Sequence, residues 1–425
     1  MNYDSSISVD AGDLSAADRL LILVTRALDK VKAGDTLEIL SDNASTQHDL
    51  PAWSRLNAHR CLGTVAHNGR WCHRIVKGSV LRMLTDKELD WGNHAPIKDG
   101  HRFDTRHWLL GRAGEIQRTA QPSDGFAPRG ASVEEGSPEF EFDVLERNRA
   151  WSHGAAEFYE QATAGHWDAS RDIPWRELHA LDEDLERAIC QLMTFLAENE
   201  FSALYVPAKW IARIHPHFAE TVLFLATQVR DEARHIEVFI KRALANGGGL
   251  QFSSASTQAS LKTLMDQQDF VQASFMLSVL GEGTFLDLLR YIETHAPDQV
   301  TREIARRTRI DETRHVHFAL DHIRSVLQTD TGLKESLYRA IANRASILSG
   351  MKGLNPLVEE SLVILAAGGL SPDRLSSATK ARIQLYETMH ENRVRRLTAI
   401  GFSDREAETC RNSTRRTLCN ALPRF

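Results

Sequence analysis

The chain has 425 residues, 42% of them hydrophobic and 25% charged, an ordinary globular composition long enough for two domains. A net charge of −6 (51 basic, 57 acidic residues) leaves no electrostatic footprint for nucleic acid or an anionic membrane. Five cysteines, Cys61, Cys72, Cys190, Cys410 and Cys419, form no Cys-x-x-Cys pair, which argues against zinc ribbons and rubredoxin-type iron sites, and an odd, scattered set fits a reducing compartment.

The first 80 residues alternate strand and helix signals. Ser6 to Val9 suits a short strand, Leu20 to Val31 a helix ending at Gly34, and Leu37 to Leu40 a strand stopped by Ser41-Asp-Asn43. Asp49 is a candidate N-cap for a second helix through Trp53. Cys61 to Val65 and Trp71 to Lys77 flank Asn68-Gly69, a type I′ hairpin signal. The order is β-α-β-α-β-β. Cys61 and Cys72 are read as small packing residues in that hairpin.

Residues 81–144 are broken by Gly and Pro and read as a linker with short ordered pieces that wraps the larger domain. His94, His101 and His107 lie here without ligand spacing and are read as surface residues.

Residues 145–425 are helical almost throughout. A first helix spans Val144 to Ala162, with Trp151, Tyr159 and Trp167 as large apolar contacts. Four long helices follow: about Leu181 to Tyr205, ended or kinked by Pro207; His217 to Ala245, closed by Gly247-Gly-Gly249; Leu261 to Thr294; and Asp298 to Leu327. Three or four accessory helices complete the chain.

One pentapeptide occurs twice, as Asp231-Glu-Ala-Arg-His235 and Asp311-Glu-Thr-Arg-His315. In each, Glu and His stand at i and i+3, one turn apart on one helix face. Each is preceded by a further glutamate: Glu200, with residues 201–230 between, and Glu282, with residues 283–310 between. Either interval suits a helix end, a short turn and an antiparallel return to the same level. Glu198 competes with Glu200, but Glu200 falls in the apolar stripe of Ile189, Leu192, Met193, Leu196 and Leu204. The connection 246–259 reaches about 46 Å at ~3.3 Å per residue. That just returns along a helix of ~29 residues, about 44 Å long, so one long crossover is feasible.

Burying four glutamates and two histidines among apolar neighbours without a cation is prohibitively costly. The pattern therefore predicts a di-metal site with Glu200, Glu232, His235, Glu282, Glu312 and His315 as ligands. Four glutamates balance two divalent ions, and oxygen and imidazole donors suit Fe(II) or Mn(II). A metal-bound His usually donates its other ring N–H to a carboxylate, which fixes its tautomer. Asp231 projects away from its own His235, so crossed pairs are expected: Asp231 with His315, and Asp311 with His235, with Arg234 and Arg314 balancing the aspartates. The competing reading of the two arginines is surface ion pairing. Tyr205 is a candidate pocket residue with packing as the equal alternative, and His215, His217 and His317 are read as structural or exposed.

Two resemblances follow from these motifs. The stretch from Val31 to Asp42, with Asp49-Leu-Pro-Ala-Trp53, His59 and Ile75-Val-Lys-Gly78, resembles the TusA-type sulfur-carrier proteins. That family carries sulfur on a Cys at the start of its first helix; here Ala17-Asp-Arg19 has neither that Cys nor its prolines. The module is accordingly expected to dock a partner. The repeated Glu…Asp-Glu-x-Arg-His pattern resembles the ferritin-like di-iron carboxylate superfamily, closest in motif to the arylamine N-oxygenases and di-iron monooxygenases. This resemblance implies a mainly α chain: a ferritin-like four-helix bundle with extra helices behind the small α/β module. It also implies an O₂-activating non-haem di-iron oxidoreductase (Mn/Fe as the variant) that oxidises a small organic substrate by hydroxylation, N-oxygenation or oxidative rearrangement. The N-oxygenases add a third His where this chain has Thr308, and ribonucleotide reductase keeps a radical Tyr where it has Phe239. A reductase or a sulfur-carrier protein is the expected protein partner, and a homodimer the expected assembly. The alternative is a metal-stabilised scaffold whose N-terminal module recruits such a partner. No apolar run of membrane-spanning length and no leader pattern is present, so a cytoplasmic location is expected.

Overall fold

The computed structural model describes residues 7–78, 117–129, 131, 133, 137–349 and 355–410. The expectations for His94, His101, His107 and Cys419 lie outside these residues. Two compact units are present, and each is described by itself.

The N-terminal unit is a four-stranded sheet with two helices. Strands β1 (Ile7–Gly12), β2 (Thr36–Ser41), β3 (Arg60–His67) and β4 (Arg70–Val76) stand in the order β1-β2-β4-β3, with only β1 and β2 parallel. Helix α1 (Leu20–Leu28) buries Leu20, Val24, Ala27 and Leu28, which join Leu37, Ile39 and Ile75 of the sheet and Leu50 of helix α2 (Thr46–Leu56) in one core. Asn68 and Gly69 both take positive φ (51° and 78°), the geometry that a two-residue type I′ turn demands. Two sequence expectations change. Ser45, not Asp49, precedes the second helix, and Asp49 sits in its first turn accepting from Ser45 Oγ at 2.9 Å. Cys61 and Cys72 are half-exposed on their strands and lie outside the core.

The helical unit is built from α3 (Arg147–Ala150), α4 (Ala155–Ala164), α5 (Glu183–Ile211), α6 (Ala219–Ala245), α7 (Ala255–Met265), α8 (Phe270–Ser274), a π-helical stretch (Phe275–Glu282), α9 (Gly283–His295), α10 (Gln299–Leu327), α11 (Leu333–Ser349), α12 (Pro356–Ala367) and α13 (Pro372–Ala399). α5, α6, α8–α9 and α10 form a four-helix bundle of the ferritin-like kind, and α12 and α13 cover α5 and α9. Asp182, Asp269 and Asp298 cap their helices by accepting from backbone N–H groups at 2.6 to 3.1 Å.

Two apolar clusters divide the bundle along its length. One holds Ala203, Phe224, Leu225, Phe275, Leu280 and Phe318; the other holds Leu196, Phe239, Leu288, Leu289, Ile304 and Ala305. Each bundle helix passes from one cluster to the other, and each places one of the four predicted glutamates at the crossing. The order of passage gives the topology. α6 and α8–α9 both run from the first cluster to the second, so the chain must return along the whole bundle between them. That return is residues 246–269, longer than the 246–259 expected, and contains α7. A break at 266–269 with its own cap, Asp269, starts the third bundle helix at Phe270 instead of Leu261.

Two other boundaries differ from expectation. α5 runs through Pro207 to Ile211, because Val206, Pro207 and Trp210 are buried and packing outweighs the one hydrogen bond that proline removes. The expected first helix is split at 151–154, where Ser152 Oγ and Gly154 N–H donate to Asp321 at 2.8 and 3.1 Å. Trp167 falls beyond both pieces. Within the Gly/Pro-rich segment, 117–129 lies against the helical unit: Arg129 Nη2 meets the buried Glu220 at 2.5 Å.

Candidate metal centre

Glu200 comes from α5, Glu232 and His235 from α6, Glu282 from the last π-helical position, and Glu312 and His315 from α10. All six are buried. Among the described residues, two groups could hold a metal ion: Glu200, Glu232, His235 and Glu312; and Glu232, Glu282, Glu312 and His315. Within each group one donor atom per residue lies within 4.8 Å of all the others. Glu232 and Glu312 belong to both groups. Glu200 and Glu282 each belong to one, and so do the two histidines.

Glu198 is placed elsewhere. It accepts from Gln258 Nε2 at 2.8 Å and from Ser253 Oγ on the crossover.

The imidazoles are oriented by their outer nitrogens. His235 Nε2 lies 3.1 Å from Asp311 Oδ2, and His315 Nε2 lies 3.4 Å from Asp231 Oδ2. Each His thus meets the aspartate of the opposite helix. An Nε2–H that donates outward leaves the Nδ1 lone pair facing inward. There, His235 Nδ1 stands 3.1 Å from Glu232 and 3.3 Å from Glu312, and His315 Nδ1 stands 3.0 Å from Glu232 and 3.5 Å from Glu312.

The aspartates sit in a closed ring of charge. Arg234 Nη2 reaches Asp231 at 2.5 Å and Asp311 at 2.7 Å; Arg314 Nη2 reaches Asp231 at 3.0 Å and Asp311 at 2.5 Å. Both arginines are buried, which removes the surface-pair alternative. Two aspartates and two arginines are neutral together, so this ring leaves the charge of the inner glutamates uncompensated.

The inner oxygens also lack partners. Glu200 Oε1 and Glu282 Oε2 are buried with no hydrogen bond, and Glu232 Oε1 and both oxygens of Glu312 meet only the imidazole Nδ1 atoms. Buried carboxylates without donors are rare in folded proteins and demand a partner. Protons are the substitute in the metal-free chain. Burial, together with the charges of Glu232 and Glu312, pushes Glu200 well above the usual carboxylate range; burial, with Glu312, does the same to Glu282. Burial acts against charge on both imidazoles, but Asp311, Glu232 and Glu312 outweigh it at His235 and raise its pKa. Glu312, Glu232 and Asp231 do so at His315. Burial also acts to raise Glu232, yet the two imidazoles hold it at about 2. These shifts favour protons on Glu200, Glu282, His235 and His315 where no cation is bound.

Three neighbours were not singled out as site residues in the sequence. Gln228 Nε2 donates to Glu282 Oε1 at 3.0 Å, from one turn before Glu232 on the same helix face. Trp167 Nε1 donates to Asp311 Oδ2 at 2.8 Å, and its ring lies under the Arg234 guanidinium at 4.6 Å. Ser278, one turn before Glu282, also supports that carboxylate. The i−4 spacing of Gln228 and Ser278 was a readable signal; Trp167 had none. Thr308 is buried one turn before Glu312, its hydroxyl unpartnered. Phe239 packs in the apolar core. Tyr205 is 56% exposed, His317 is exposed, and His215 and His217 are buried against Phe142 and Phe218.

Residues 20–77 match the family model described as Sulfurtransferase TusA. No curated protein matches the chain in sequence. Among solved structures, the chain is similar to an R2-like ligand-binding oxidase with an aerobically reconstituted metal cofactor after photoconversion. The identity is 18% and the TM-score 0.41, over 64% of this chain and 95% of that one. A variant of that oxidase with an anaerobically reconstituted Mn/Fe cofactor gives 19% and 0.43, over 60% and 95%. No chemistry is carried across at that level of similarity, and the reading of the site rests on its own geometry. The chain joins a TusA-type module to a mainly helical, ferritin-like unit that carries a candidate di-metal carboxylate site.

Proposed function

We propose that the helical unit binds two divalent metal ions, iron in both places or manganese and iron, and oxidises a small organic molecule with O₂. One observation carries this reading: four buried glutamates and two imidazole Nδ1 atoms converge in two overlapping groups, with carboxylate oxygens that no donor satisfies. Glu200 and His235 would hold one ion, Glu282 and His315 the other, and Glu232 and Glu312 would bridge both. Iron or manganese in such a site supplies electrons to O₂.

The chain's own residues do the rest. Asp311 and Asp231 fix each imidazole's tautomer and aim Nδ1 inward. The facing imidazole, with the arginines, keeps each aspartate ionised, so the outer ring takes no proton from the ligands. Gln228 holds one oxygen of Glu282 and leaves the other for the ion. The two apolar clusters above and below keep bulk water from the inner carboxylates. Under this reading, the TusA-type module, without a Cys at the start of α1, docks a protein partner such as a reductase or a sulfur carrier.

Ferrous loading tests the reading. Two irons per chain and an optical change on adding O₂ are expected. Fewer than two irons, with no change, would sink it.

A further inference from the structure

Glu282 is delivered to the cluster by a wide turn. Phe275–Glu282 is π-helical, and Gly283 N–H bonds Ser278 O, five residues back. In an α-turn that N–H would bond Val279 O, four residues back. Here Val279 O accepts instead from Arg396 Nε of α13 at 3.2 Å. The guanidinium can come this close because position 283 has no side chain: a Cβ there would lie 2.5 Å from Arg396 Nε and 2.8 Å from Cζ. Next to it, Arg393 Nη2 donates to Thr284 Oγ1 at 2.9 Å. One accessory helix therefore holds this stretch on both sides of Glu282, at the Val279 carbonyl and the Thr284 hydroxyl. Wide turns are rare inside helices, and this one receives a donor from outside the helix at Val279 O. A return to the α register would shift Glu282 by one residue, about 100° around the helix, and take its carboxylate out of the cluster.

We propose that Arg396, seated over Gly283, is a positioning residue that holds the wide turn and thereby keeps Glu282 in the carboxylate cluster. Its effect on metal binding rests on the reading above; its effect on the turn does not.

The experiment compares the full-length chain with Arg396→Met, Arg396→Lys, Gly283→Ala and, as control, the exposed Arg395→Met. Two readouts are taken: amide hydrogen exchange across 275–284 in the metal-free protein, and Co(II) titration. Losing a charged donor to a buried carbonyl predicts ~10-fold faster exchange in this stretch, and ~10-fold weaker binding of one Co(II) but not the other. Gly283→Ala should match Arg396→Met, because the methyl evicts the guanidinium. Arg396→Lys, which keeps the cation, should fall between Arg396→Met and the wild type. Arg395→Met should change nothing. If Arg396→Met does not fold, Arg396→Lys and Gly283→Ala decide. Unchanged exchange in these variants, or equal weakening of both Co(II) ions, overturns the proposal. A wild type that binds no Co(II), with exchange still accelerated in the variants, sinks the metal reading and supports the role of Arg396 in the turn.

Discussion

Trp167 Nε1 donates to Asp311 Oδ2 at 2.8 Å, and this is the same oxygen that His235 Nε2 meets at 3.1 Å. The pair breaks the symmetry of the repeated pentapeptide. Asp311 has Trp167, Arg234, Arg314 and His235 around it. Asp231, its counterpart, has the two arginines and His315.

That asymmetry predicts an order of effects on metal affinity. Asp311→Asn and Asp231→Asn each remove the charge that fixes a histidine, and losses of about 10–100-fold are expected. Trp167→Phe removes one hydrogen bond to a carboxylate still held by two arginines, so its loss should be smaller, about tenfold. Metal titration ranks the three. A Trp167→Phe loss exceeding that of Asp311→Asn would refute the order.

Sharing of ligands gives a second prediction. Glu232 and Glu312 belong to both donor groups, whereas Glu200 and Glu282 belong to one each. Glu232→Gln or Glu312→Gln should lower occupancy at both places. Glu200→Gln or Glu282→Gln should leave one ion per chain tightly held. Elemental analysis after desalting distinguishes them, and one retained ion in Glu232→Gln would argue against a bridging role.

What the sequence made legible follows the physics of helices. Glu200 could be told from Glu198 because a 3.6 period assigns faces, and Glu198 indeed turns to the crossover. The crossed Asp–His contacts were readable because an aspartate beside a ligand points away from its own histidine. The wide turn at Phe275–Glu282 was not readable. One extra residue in a turn leaves the apolar pattern nearly intact, and its cause, Arg396, lies 117 positions beyond Val279. Pro207 misled for a related reason: local propensity marks a helix end, but burial of Val206 and Trp210 is a tertiary effect. Trp167 reads in the sequence only as a large apolar contact. The chain leaves the helix at Gly165, and the indole N–H finds Asp311 from a loop.

The N-terminal unit supports a negative result. The start of α1 carries Arg19 at positive φ (74°) and no thiol, and Cys61 and Cys72 sit on β3 and β4. Incubation with a persulfide donor should leave the intact mass of the N-terminal segment unchanged. Stoichiometric added sulfur on Cys61 or Cys72 would restore sulfur transfer to the module's role.

Stability of the metal-free chain should fall as pH rises through neutrality. Glu200, Glu282, His235 and His315 all bind protons more tightly folded than unfolded. The folded state then holds more protons than the unfolded one, and stability declines with pH in proportion to that excess. For the glutamates the decline begins above their ordinary value of 4.5, and for the histidines above 6.5. Glu232, Asp231 and Asp311 are shifted down, so the stability they add is complete above the ordinary carboxylate range and flat at neutral pH. Metal ions replace the four protons and cancel the decline. The gap in melting temperature between loaded and metal-free protein should therefore widen from about pH 5.5 to about pH 8. A gap that narrows over this range would mean that the ions do not displace protons from these residues.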